Sequence, residues 1–222
     1  WSGFSAGQFI EIYTEQDGRR LTRCFSISSS PSSFEIDGTI TLTIRVQDRG
    51  RVTPQLRSNL QAGDFIGLSK AQGDFTLSKT PRARLLIAGG SGITPFRSML
   101  GEISQEADAQ HTTLLYYSGH KGSHLFEQKF RELAQAHSHI NVKFLETKRD
   151  GRLNIQHLLE HCPDFSERDI YICGPTGMIQ TAKNICTKAG TPAAQIHFEY
   201  FGAAPIESTA LEKHGDERAG DG

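Results

Sequence analysis

The sequence predicts a two-domain protein in which a small antiparallel β-barrel precedes a parallel α/β domain. Three observations predict it. Residues 1–80 hold short strand-like runs punctuated by Asp-Gly turns. Residues 81–204 alternate apolar strands with helical apolar spacing. Two strands of that second half run directly into glycine-rich turns. The chain of 222 residues is long enough for two small domains. The boundary falls at residues 79–84, around Pro81. Residues 205–222, rich in charge and glycine, read as a solvated tail or linker.

In the first half, residues 7–15 read as a strand. Asp17-Gly18 follows as a hairpin turn, with residues 21–30 as the partner strand. Asp37-Gly38 reads as a second such turn. It leads into residues 39–46, where apolar residues fall at every second position. A further strand is expected at residues 64–69. Strands this short, with turns at this spacing, suit a small barrel.

In the second half, strands are expected at 84–88, 113–118, 141–146, 169–173 and 195–201. Between them, Phe96, Met99, Leu100 and Ile103 fall at i, i+3, i+4 and i+7, as do Ile155, Leu158, Leu159 and Cys162. Met178, Ala182 and Ile185 give a less complete version. Five strands alternating with four helices predict a parallel sheet with right-handed crossovers.

Composition excludes several classes. With 36% hydrophobic and 22% charged residues the chain suits a soluble globular protein. A net charge of −1 provides no field for binding nucleic acid. No apolar run approaches the roughly 20 residues that span a bilayer, and the opening residues do not read as a secretory leader. A cytoplasmic protein is expected. Cys24, Cys162, Cys173 and Cys186 form no CxxC pair and have no zinc or iron–sulfur spacing with histidine. No structural disulfide is expected.

The chemistry starts at Leu85-Leu86-Ile87-Ala88-Gly89-Gly90-Ser91-Gly92-Ile93-Thr94-Pro95, a strand running into a glycine turn. Thr94 is expected to cap a helix whose first residue is Pro95. Such a turn lets the backbone approach a phosphate and aims helix N–H groups at it. A second turn, Cys173-Gly174-Pro175-Thr176-Gly177, follows the fourth strand. If the strand order is 3-2-1-4-5, strands one and four are neighbours at the switch point, and the two turns face one crevice.

The barrel half has its own constellation. Arg23-Cys24-Phe25-Ser26 lies on a strand, with Ser28, Ser29 and Ser30 beyond it, and Gly50-Arg51-Val52-Thr53 follows. Arg23 and Arg51 suit phosphates, and the backbone of residues 50–53 suits a pyrophosphate.

Together these residues carry a resemblance. Arg23-Cys24-Phe25-Ser26 resembles the RxYS flavin motif of the ferredoxin–NADP reductase family, and Gly50-Arg51-Val52-Thr53 resembles its GxVS pyrophosphate segment. Gly73-Asp74-Phe75-Thr76-Leu77 is similar to the end of that family's barrel. Residues 89–95 and 173–178 resemble its two pyridine-nucleotide loops, and Glu199-Tyr200-Phe201 its closing acidic–aromatic element. The resemblance covers residues 4–203 in the family's order.

The resemblance implies a six-stranded flavin-binding barrel, here lacking its first strand, and a five-stranded nucleotide-binding domain. The cofactors implied are FAD, with FMN as the lesser choice, and NAD(P)H. Arg23 would hold a flavin phosphate. Cys24, Phe25 and Ser26 would lie along the isoalloxazine, with Ser26 near N5, and Thr43 and Ile44 would line it through the backbone. The nucleotide would lie against Gly89, Gly90, Ser91, Gly92, Ile93, Thr94 and Pro95, and against Gly174, Pro175, Gly177 and Met178. Cys173 would sit by the nicotinamide, Glu199 would complete the polar surround, and Phe201 would pack near the ring. Catalysis would rest on Ser26, Cys173 and Glu199. Hydride transfer would need nicotinamide C4 about 3–3.5 Å from flavin N5. The motif's tyrosine is replaced by Phe25, which keeps the stacking surface but loses a hydroxyl contact, so flavin retention should be weaker.

For the nucleotide, an NAD-specific fold places an acid after the second strand. Here that strand ends Ser118-Gly119-His120-Lys121, and Lys148, Arg149 and Arg152 follow the third. Hydroxyl and cationic groups suit a 2′-phosphate, so NADPH is favoured over NADH, with Ser118, Lys121 and Arg152 as its ligands.

The chain holds no cysteine set for a cluster, so the electron acceptor lies outside it. The expected acceptor is a [2Fe–2S] ferredoxin, as a fused domain or separate partner, serving an oxygenase or desaturase. Two other readings are a reductase for a haem protein, as in flavohaemoglobin-like members, and a flavin- or nucleotide-binding sensor without turnover. None of the nine histidines shows metal-ligand spacing; His157 and His161 stand at i, i+4, and they read as a helix surface rather than a metal pair.

Overall fold

The computed structural model describes residues 1–16 and 19–201. The Asp17-Gly18 turn and the 205–222 tail lie outside the described residues. In the first half, β1 (Phe9–Gln16) and β2 (Arg19–Ser26) pair antiparallel, with Phe9 opposite Ser26 and Gln16 opposite Arg19. The short β3 (Gly67–Leu68) joins the other edge of β1. Ile10, Ile12 and Ile27 form the buried centre, with Phe25, Leu42 and Ile44 packed around it.

Regular pairing here is less extensive than six strands: the described residues form a three-stranded sheet with two isolated bridges, Phe9–Gln72 and Ile27–Leu42. The expected strand at 39–46 touches the sheet only at that second bridge. Side-chain hydroxyls take the backbone groups a ladder would use. Ser29 Oγ accepts from Thr41 N–H at 2.9 Å, and Thr53 Oγ1 accepts from Gln47 N–H at 2.9 Å.

Asp37-Gly38 is not a hairpin turn. It ends α1 (Pro31–Asp37), which Ser30 caps by accepting from Ser33 N–H at 3.2 Å, with Pro31 in the first turn. Gly38 takes the left-handed φ of 70° and donates its N–H to Phe34 O at 2.8 Å. A second unexpected helix, α2 (Thr53–Asn59), starts where the 50–53 segment ends.

The second half follows its expected order. It comprises β4 (Arg84–Gly89), α3 (Thr94–Ile103), β5 (Thr112–Ser118), α4 (Glu127–Ala136), β6 (Ile140–Glu146), α5 (Ile155–His161), β7 (Asp169–Gly174), α6 (Thr176–Lys188) and β8 (Ile196–Tyr200). The strands pair in parallel in the order β6-β5-β4-β7-β8, so β4 and β7, which carry the two glycine turns, are neighbours. The three central strands are buried along their whole length, which explains their unbroken apolar runs.

One sheet face packs Leu86, Leu114 and Tyr116 against Phe96, Met99, Leu100 and Ile103 of α3. The other packs Leu85, Ile87 and Ile172 against Leu158 and Ile179. The α5 pattern is only half used: Leu158 and Cys162 are buried, but Ile155 and Leu159 are 37% and 47% exposed. A seven-residue helix meets the sheet along one short line, which leaves its flanks in water.

The halves meet through Phe75, whose ring stands edge-on to Phe96 and Tyr171 at 5.8 and 5.9 Å. Ser78 N–H donates to Tyr171 Oη at 2.7 Å.

Candidate active site

A cleft lies between the halves; on the α/β side it is lined by Ser91 and Thr94 and by the end of β8, while Gly89, Gly90, Gly92, Gly174, Pro175, Gly177 and Met178 are not among its lining residues. A Cβ on Gly89 would come within 2.7 Å of Pro175 Cδ, and one on Gly174 within 3.0 Å of Gly89 Cα. A methyl group on Gly92 would run into the Cys173 carbonyl. The two glycine turns therefore rest on each other, and only glycine fits at the contact. Gly90 takes φ of 56°. Residues 90–93 form a single 3₁₀ turn that runs into α3 without a side-chain cap. Thr94 is thus the first residue of α3 rather than its cap, and its Oγ1 donates to Ser91 O at 3.1 Å. Ser91 and Thr94 reach the cleft, while Ile93 and Pro95 are buried beneath it.

Side chains of the barrel half build the facing wall. The cleft holds about 740 Å³ and is lined by Arg23, Cys24, Phe25 and Ser26 of β2, by Thr43, and by Gly50, Arg51, Val52 and Thr53. Glu199 and Phe201 close its end. That volume suits a cofactor-sized ligand. Ile44 turns the other way, into the barrel core.

The site also contains Phe9, Thr22, Arg45, Gln47 and Tyr200, which sequence reasoning did not select. The pairing register contains a signal for Phe9, which stands opposite Ser26. Alternation contains one for Arg45 and Gln47, two and four residues beyond Thr43.

Charge and burial set the chemistry of the cleft. Arg23, Arg45 and Arg51 are exposed, and none is ion-paired to a carboxylate among the described residues. Glu199 stands opposite Cys173 in the β7–β8 register. Its Oε2 is buried with no hydrogen-bond partner, and burial pushes its carboxyl up to about 7. Cys173 is fully buried; desolvation, then the Glu199 charge, pushes its thiol well above the usual range. It is a core residue facing Glu199 rather than part of the cleft surface. Unpaired cations, aromatic faces and an orphaned carboxyl fit FAD: the arginines suit the pyrophosphate, and Phe9, Phe25 and Phe201 suit the ring system.

The predicted 2′-phosphate residues lie at the carboxyl ends of β5 and β6, where Thr147 N–H donates to Ser118 O at 2.8 Å. Ser118 is turned inward, with Oγ 3.3 Å from His124 Nδ1. Arg149 is held by Asp150 and Glu146 at 2.8 and 3.0 Å, while Lys121, Lys148 and Arg152 are exposed. His157 packs on Tyr117, whose Oη lies 3.1 Å from Nδ1. Among the described residues no group of three or more His, Cys, Asp or Glu is placed to hold a metal, and no helix is long and apolar enough to cross a membrane.

Comparisons with known proteins follow this division. Residues 2–77 match the oxidoreductase FAD-binding domain and residues 86–184 the oxidoreductase NAD-binding domain. An NADPH oxidoreductase of Mycobacterium tuberculosis is 29% identical over 89% of this chain and 52% of its own length. A glycine betaine monooxygenase reductase subunit of Pseudomonas aeruginosa is 27% identical over 93% of this chain and 58% of its own. The chain thus spans about half the length of these curated relatives. Among solved structures, the flavohaem-like FAD/NAD-binding domain of a Vibrio cholerae nitric oxide dioxygenase superposes with a TM-score of 0.75. It is 25% identical and covers 90% of this chain and 86% of its own. A Neisseria gonorrhoeae ferredoxin NADP+ reductase with bound FAD and NADP shares the fold, with a TM-score of 0.70, 21% identity, and coverage of 90% and 88%.

Proposed function

This chain belongs to the ferredoxin–NADP reductase family, and from that membership we propose that it is the reductase module that takes hydride from NADPH and passes single electrons to an iron–sulfur protein. One observation carries the reading. The arginine–aromatic wall of the barrel and the Ser91–Thr94 end of the glycine loop line the same cleft, with Glu199 between them.

Bound FAD supplies the conversion of a two-electron donor into single electrons. Arg23 and Arg51 neutralise its pyrophosphate. Phe25 and Phe201 flank its ring and keep water from it, and the Ser26 hydroxyl supplies a hydrogen bond at its reacting edge. The paired glycine turns hold the pyrophosphate of the nucleotide. Lys121, Lys148 and Arg152 meet its 2′-phosphate, whereas the Ser118 hydroxyl is turned toward His124. Glu199 holds a proton at its carboxyl near neutral pH, next to the buried Cys173.

The acceptor is a [2Fe–2S] ferredoxin, as a fused domain or a separate partner, serving an oxygenase. The relative that is an oxygenase reductase subunit supports this reading. A haem protein is the second reading, favoured by the likeness to the nitric oxide dioxygenase domain. NADPH-driven reduction of a plant-type ferredoxin and of a globin, measured side by side, tests the choice. Faster ferredoxin reduction is expected; electrons reaching only the haem would reverse the assignment.

A further inference from the structure

Three serines beyond the cleft strand have no place in the binding scheme above, yet each meets α3. Arg97 Nη1 donates to Ser28 O at 2.8 Å and to Ser28 Oγ at 3.3 Å. Gly101 lies against Ser30, where a Cβ would come within 2.9 Å of Ser30 Cβ. Glu102 Oε1 accepts from Ser32 N–H at 2.9 Å. Helix α3 begins at Thr94, a wall residue of the cleft, and Arg97 is three residues on, on the same side of the helix.

Ser28 carries the contact to the other wall. Its hydroxyl donates its single proton to Thr41 O at 3.0 Å, so at the 3.0 Å contact with Thr43 Oγ1 it accepts. Thr43 lines the barrel side of the cleft. A continuous chain of hydrogen bonds therefore runs from the nucleotide-loop helix, through Arg97 and Ser28, to Thr43.

Two local costs accompany this chain. The Arg97 guanidinium is half-buried, its Nε has no partner, and no carboxylate pairs with it among the described residues. Its outer side is covered by the ring of Phe126, 4.8 Å away. Phe126 is the one non-glycine residue with left-handed backbone among the described residues, at φ of 61°. A contact that served packing alone would not need a charge without a countercharge.

We propose that Arg97 is a positioning residue for hydride transfer, fixing through Ser28 and Thr43 the spacing between the nucleotide wall and the flavin wall of the cleft. The proposal rests on the reductase reading above. A misplacement of about 1 Å costs about a hundredfold in rate even where binding is intact.

The test compares FAD-loaded wild type with Arg97→Met, Arg97→Lys and Ser28→Ala. Three quantities are read: the FAD Kd by flavin fluorescence, the NADP+ Kd from the change in flavin absorbance, and the anaerobic rate of flavin reduction by NADPH. Both Kd values should stay within about threefold, while Arg97→Met slows reduction by roughly 10- to 100-fold. Arg97→Lys should recover part of the rate, since an ammonium reaches the Ser28 carbonyl but cannot lie flat on Phe126. Ser28→Ala should also slow reduction, and the Arg97→Met/Ser28→Ala pair should be no slower than Arg97→Met alone. Rates within about twofold of wild type overturn the proposal, as does a loss confined to Kd. If Arg97→Met fails to retain FAD, Ser28→Ala decides by the same criterion. A wild type that binds FAD and NADP+ but is not reduced overturns the reductase reading itself.

Discussion

The two walls of the cleft are built by opposite means. On the α/β side the wall that carries Ser91 and Thr94 is held by backbone: Gly89, Gly92 and Gly174 keep the β4 and β7 turns against each other with no room for a methyl group. On the barrel side the wall is side chain: Arg23, Arg45 and Arg51 reach into the cleft from irregular or edge backbone and are exposed to water. A wall held by backbone ties binding to folding, because the contacts that shape the turn also hold the sheet together. A wall of exposed side chains leaves the two separable.

The largest expected effect comes from breaking the backbone wall. Gly92→Ala drives a methyl group into the Cys173 carbonyl, which cannot rotate away, and should cost about 3 kcal/mol in urea denaturation. A loss below about 0.5 kcal/mol would erase the contrast between the walls.

Next is Glu199, where the walls meet. Its carboxyl is raised from 4.5 to about 7 by burial. Because the folded value is the higher one, the stability it contributes is fully present below about pH 4.5 and is lost as pH rises through 7. Across that window the flavin-free protein should lose up to about 3 kcal/mol, and Glu199→Gln should remove this slope. An unchanged slope in the variant would show that Glu199 is not the group responsible.

The side-chain wall should respond differently. Arg51→Ala should weaken FAD binding by about 2 kcal/mol, roughly thirtyfold, while the flavin-free protein unfolds within about 0.5 kcal/mol of wild type. Isothermal titration and denaturation on the same variant check both halves of that statement. The smallest effect is expected at the far end of the nucleotide: Lys121→Ala should raise the KM for NADPH about fivefold and leave that for NADH unchanged. Equal changes for both nucleotides would remove Lys121 from 2′-phosphate recognition.

The same contrast governs what could be read from the sequence. The backbone wall was legible because strands buried on both faces leave unbroken apolar runs, and turns in mutual contact demand glycine. The strand order that brings residues 89–92 beside 173–177 entered only as a condition of the doubly wound pattern, and the sheet meets it. The barrel wall was legible only in part. Arg23, Phe25, Ser26 and Arg51 stand in recognisable patterns, but Arg45 and Gln47 depend on a segment whose ladder is taken over by Ser29 and Thr53. Gly38 serves equally well in a hairpin turn or at a helix end, and only Ser30-Pro31 upstream distinguishes the two. At the nucleotide's far end the sequence supplies charges but not their partners: Arg149 is held by Asp150, and Ser118 is turned toward His124. The role of Arg97 was invisible, because its partner Ser28 lies in the other half of the chain.

The central claim is that the two walls bring a nucleotide and a flavin together in one cleft. Anaerobic mixing of the FAD-loaded protein with NADPH tests it most directly. The account predicts that the yellow colour is lost on mixing, faster with NADPH than with NADH. A protein that binds FAD and stays oxidised in excess NADPH would contradict it.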